Sequence, residues 1–243
     1  MFERQPAVLS AAGVGYLLSG FLVALTAGSV YFVSRQDPHR LVRQWEQVLL
    51  QRSQHMGVGV LGGVLLFLVA LAGLFFFLGV AARAARLHPT SGTFGGLFLT
   101  AGMMSLAVVA VWAGLVAPYA ALQYQSASDE MRKHALLMEA HVSEHVLMLG
   151  FWCFLGFSTP GLYFLGRALR GERGWLPDML KLAAALILWH LPVTLYLARE
   201  SLLGEHYVRW LAMVDQLLLW GGLALACYFS ARWLRMVGRT LPR

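Results

Sequence analysis

The chain predicts an all-α fold, a polytopic membrane helix bundle of six transmembrane helices with both termini cytoplasmic, and three observations carry this. Of 243 residues, 58% are hydrophobic and only 13% are charged. The apolar residues gather into six stretches near 9–33, 57–82, 93–118, 146–167, 180–198 and 208–231. Each is close to the roughly 20 residues that cross a bilayer core, and such runs are too long for the core helices of a water-soluble domain. Basic residues collect on the cytoplasmic side of a membrane protein, and with six spans they divide 11 to 8 in favour of the side that holds the termini. Residues 1–243 read as a single integral membrane domain, multi-pass, in the cell inner (plasma) membrane.

The first stretch has only Arg4 ahead of it and runs on through Tyr31-Phe32-Val33. It lacks the basic n-region and the small-residue cleavage signature of a signal peptide, so it reads as a retained helix. The first outer loop, Ser34 to Met56, places Leu41, Val42, Trp45, Val48, Leu49 and Leu50 among charges after Pro38, the pattern of an amphipathic helix lying at the interface. Gly59, Gly62, Gly63, Gly95 and Gly96, with Gly221 and Gly222 in the sixth span, offer small surfaces for close helix contact. The second outer loop, Tyr119 to Glu144, is polar through Gln123–Asp129 and then turns helical from about Glu130, continuing into the fourth span as a second amphipathic segment. Within that span Ser158-Thr159-Pro160-Gly161 predicts a break, since proline removes a backbone bond and bends the axis. Cys153 and Cys227 lie at different depths in spans four and six, and no disulfide is expected between them.

One helix face stands out. His134, Met138, His141, His145 and Met148 fall at offsets 0, 4, 7, 11 and 14, which puts all five on one stripe entering the fourth span from outside. An apolar seam would use leucine, and three imidazoles are a costly way to make one. His141 and His145 form an HxxxH pair one turn apart, able to hold one ion together. Imidazole with thioether is a ligand set suited to copper in preference to zinc or iron. A core seam with methionine as filler is the plainer alternative. A transmembrane haem b is the competing cofactor.

Two ionisable residues lie inside spans. His190 is about halfway along the fifth, Asp215 is eight or so residues into the sixth, and their sequence midpoint falls in the Glu200–Glu205 turn. In an antiparallel hairpin they therefore share a depth. A charge at the bilayer centre costs about 2.5–3.5 kcal/mol on insertion scales, so the expected solution is a His190–Asp215 pair facing the bundle interior. It would serve packing, metal binding, proton movement or a substrate path.

The run His141-Val-Ser-Glu-His145-Val-Leu-Met-Leu, then Pro160-Gly161 and Leu165-Gly166, then Leu188-Trp189-His190-Leu191-Pro192, resembles the CtaG family of cytochrome c oxidase assembly proteins. The resemblance continues through Tyr196-Leu-Ala-Arg, His206 and Gly221-Gly222, covering about residues 134–228. In that family the sixth span begins with a pair of histidines; here His206 stands near that pair and Asp215 occupies the deeper position. The resemblance implies a metal site drawn from His134, Met138, His141, His145, His190, His206 and Asp215, with copper as cofactor. It implies a non-enzymatic role in maturing a haem-copper oxidase, by binding or delivering copper at the outer face. The implied partners are the lipid bilayer with a haem-copper oxidase subunit or a copper chaperone. Nucleic acid is not among them, because the net charge of +7 is explained by membrane orientation. The alternatives are a haem b or quinol-binding redox subunit of a respiratory complex, and a membrane-embedded metal hydrolase.

Overall fold

A proline ends one helix and begins the next. The helix Met56–Leu87 (α2) stops two residues before Pro89, because proline pushes its predecessor out of helical backbone; His88 sits at φ −140°, ψ 91°. Pro89 then opens the helix Pro89–Val111 (α3), where its missing N–H is no loss. In this computed structural model the described residues are 5–35, 49–50, 53–171, 176–198 and 205–240, and the regular elements among them are helical.

The other helices are α1 (Gln5–Arg35), α4 (Ala117–Ser126), α5 (Glu130–Ala168), α6 (Leu176–Ala198), α7 (Glu205–Gln216) and α8 (Gly222–Thr240). Two five-residue π-helical segments, Trp112–Val116 and Leu217–Gly221, join α3 to α4 and α7 to α8 as continuous rods. Five helices among the described residues are long and apolar enough to cross a membrane: Leu9–Tyr31, Met56–Leu87, Pro89–Ser126, Glu130–Ala168 and Trp210–Gly238. The expected fifth stretch, 180–198, falls on α6, which is 23 residues long. The side chains of residues 191 and 194–198 lie outside the described set.

The rods close into a ring in chain order. α1 packs on α2, α2 on α3, α3 on α5, α5 on α6, α6 on α8, and α8 returns to α1. Every rod feeds one core, with Leu18, Phe76, Leu106, Phe154, Ile187 and Trp220 all buried in it. A second, small core sits at one end, where Leu49 and the α4 side chains Ala121 and Tyr124 cover Leu136 and Ala140 of α5.

The helix beginning at Glu130 does run unbroken into the fourth span, 39 residues in all. Asp129 caps it, its carboxylate accepting the Met131 N–H at 3.3 Å, a favourable arrangement at the positive end of a helix. The break expected at Ser158–Gly161 is absent: the helix continues through Pro160. Prolines are tolerated in membrane helices where neighbours hold the backbone, and α3 packs tightly there. A Cβ on Gly161 would meet Leu99 Cγ at 2.7 Å, and one on Gly102 would meet Ser158 Oγ at 2.6 Å. Of the predicted glycine contacts, Gly63 is the closest made, facing Gly114 in the first π segment, whereas Gly62 and Gly221 face open space. The interfacial helix expected between Ser34 and Met56 falls almost wholly outside the described residues. Cys153 and Cys227 are both free.

Candidate functional site

α6 and α7 place one basic and one acidic group opposite each other inside the apolar bundle. His190 Nδ1 and Asp215 Oδ2 stand 2.5 Å apart, and the two residues are only 4% and 2% exposed. The remaining carboxylate oxygen, Oδ1, has no hydrogen-bond partner among the described residues. An aromatic cluster lies against the imidazole through Phe151. Phe151 of α5 sets its edge to the imidazole at a centroid distance of 5.6 Å, and Trp220 contacts Phe151 and stacks on Phe154, each at 6.1 Å. The Trp220 indole N–H donates to Gln216 Oε1 at 3.0 Å, so the residue after Asp215 holds a ring of the cluster that Phe151 joins to the imidazole.

The backbone is irregular at the same place. The second π segment starts at Leu217 and contains Trp220, and single π turns inside α-helices recur at functional sites. The small cavity at the bundle centre is lined by Leu18, Met103, Phe154, Trp220, Cys227 and other apolar side chains, and neither His190 nor Asp215 lines it. The pair is thus a buried histidine–aspartate couple set apart from that cavity.

The histidine stripe is elsewhere. The packed face of α5 runs through Leu136, Ala140, Ser143, Phe154 and Leu165, all buried. His145 follows Ser143 by two residues, about 200° round a helix of 3.6 residues per turn, and His134, Met138, His141, His145 and Met148 are all exposed. The rings of His141 and His145 do meet, at a centroid distance of 4.5 Å, with His145 Nδ1 donating to the His141 carbonyl at 2.8 Å. They point away from the bundle that encloses His190. His206 lies on α7 with its side chain outside the described set.

The copper expectation is therefore corrected. Among the described residues no group of three or more His, Cys, Asp or Glu side chains comes together to hold a metal ion. The physical reason is the split just described: the outer histidines look outward, and the inner histidine is engaged by Asp215. Of the histidines named for the haem b alternative, His145 is exposed and His190 is buried. Sequence reasoning identified the pair but missed Phe151, Gln216 and Trp220; a glutamine beside Asp215 in an apolar run was the available signal.

Fold and site together define a helical, lipid-embedded membrane protein with a buried histidine–aspartate couple. Compared with protein-family models, curated proteins and solved structures, the chain matches none.

Proposed function

We propose that this chain is a non-enzymatic accessory protein of the cell inner membrane that assists the maturation of a haem-copper oxidase. It crosses the bilayer six times with both termini cytoplasmic, and its working centre is the His190–Asp215 couple. The observation that carries the reading is the burial of that couple within the segment resembling the oxidase assembly family. His190 belongs to a Trp-His-x-Pro motif, and Asp215 stands where the family it resembles has the deeper histidine. An aspartate there turns two neutral imidazoles into an acid–base pair, which holds and exchanges a proton. The 11 to 8 division of basic residues supports the orientation.

The test is oxidase assembly in cells lacking this chain. Oxygen consumption and the haem spectrum of the membranes should fall, recover with the native chain, and fail to recover with Asp215→Leu expressed to the same level. Full oxidase content without the chain would overturn the reading.

A further inference from the structure

Two helices that flank α6 carry the same surface pattern at the same end of the bundle. On α5 it is Tyr163, Arg167 and Arg170; on α8 it is Tyr228, Arg232 and Arg235. Both read Tyr-x3-Arg-x2-Arg, a spacing that lines three side chains along one helical stripe, although Arg170 sits on the turn just past the α5 end. All four arginines are exposed, and the tyrosines are 47% and 43% exposed.

The two patterns lie at one level. Gly166 abuts Pro177, where a Cβ would meet the Pro177 carbonyl at 2.8 Å, and Gly222 abuts Leu186 at 2.6 Å. Following the antiparallel α6 and α8 ten residues on from that second contact brings Leu176 level with Arg232. Arg167 and Arg232 therefore both flank the first turn of α6. Among the described residues this end holds one carboxylate, Asp178, and Lys181 already stands 3.5 Å from it. The four arginines have no ion pair among the described residues.

What lies next to the α8 stripe identifies its occupant. On α8 the stripe runs from exposed Leu225, 57% accessible, through Tyr228 to Arg232 and Arg235. Apolar side chain, then phenol, then guanidinium is the order in which a phospholipid presents acyl chain, ester and phosphate. Guanidinium groups bind phosphate through paired hydrogen bonds. A soluble anion would have no use for the apolar portion.

We infer that each Tyr–Arg–Arg stripe is a binding site for the phosphate headgroup of an anionic phospholipid. Tyr163 and Tyr228 seat the glycerol-ester region, and the two arginines of each stripe hold the phosphate. The sites rest on the membrane-embedded fold and not on the role of the His190–Asp215 couple.

Native mass spectrometry of the full chain, released from mixed vesicles of phosphatidylglycerol and phosphatidylcholine, tests this. Phosphatidylglycerol adducts should exceed phosphatidylcholine adducts. The preference should fall by about fivefold for each arginine replaced by glutamine, and Arg167→Gln/Arg170→Gln and Arg232→Gln/Arg235→Gln should each remove one lipid. Arg→Lys at the same four positions should retain part of the preference and shows that the variants fold. Equal binding of both lipids, or full preference in the four-residue glutamine variant, overturns the proposal. So does displacement of the bound lipid by millimolar inorganic phosphate, which would assign the sites to a free anion.

Discussion

Phe151 stands edge-on to the imidazole of His190, with ring centroids 5.6 Å apart and an interplanar angle of 81°. A ring edge against another aromatic face is a favoured arrangement, and here it closes the polar couple off from the bundle core. Both members of the couple are buried, at 4% and 2% exposure, so each relies on the other for polar compensation.

That arrangement predicts strong non-additivity. Asp215→Leu leaves an imidazole, and His190→Phe a carboxylate, without its counterpart in the apolar interior; each should lower stability by about 3–5 kcal/mol. The double change His190→Phe/Asp215→Leu removes both polar groups and should recover most of the loss. A double-mutant cycle on unfolding in mixed micelles checks it. Simple addition of the two losses would show that the groups do not interact.

Trp220 gives a gentler prediction. Its indole N–H is held by Gln216 in a part-buried hydrogen bond, and such a bond contributes about 1 kcal/mol. Gln216→Leu should cost about 1–3 kcal/mol, because the donor is left unpaired. Tryptophan emission of the variant, read against a Trp220→Phe background, should change in the native protein and be unchanged in that background.

How far the sequence exposed these features depends on what kind of information each needed. The helices were legible because their length is written directly in apolar runs, and the His190–Asp215 depth followed from counting out from one turn. The stripe misled because spacing shows that His134, His141 and His145 share a face, not which way that face looks. The opposite face of α5 is built from Leu136, Ala140 and Ser143, whose small and polar members do not announce a packed surface. The π segments were illegible for a different reason: the backbone registers an extra residue per turn, and no side-chain period records it.

Close packing of α2 on the first π segment makes Gly63 and Gly62 opposites. A Cβ on Gly63 would lie 2.2 Å from Gly114 Cα, a backbone atom that cannot move aside cheaply, whereas nothing lies within 4 Å of one on Gly62. Gly63→Ala should therefore destabilise by about 1–3 kcal/mol through overpacking. Gly62→Ala should be neutral or stabilising by up to about 1 kcal/mol, since alanine is the better helix former. Unfolding midpoints of the two single variants decide it; equal midpoints would place the α2 contact elsewhere.

The outward stripe predicts that its histidines are dispensable to the fold. His134, His141 and His145 are exposed on the face of α5 opposite Ser143, and substitutions at exposed surface positions usually stay within about 0.5 kcal/mol. His145 does donate to the His141 carbonyl, but that carbonyl belongs to a continuous helix, so losing the side-chain bond leaves the backbone ladder intact. The triple change His134→Ala, His141→Ala and His145→Ala should leave the unfolding midpoint nearly unchanged, because alanine also improves helix propensity at each position. A large loss in the triple variant would mean that this face is covered in the native membrane.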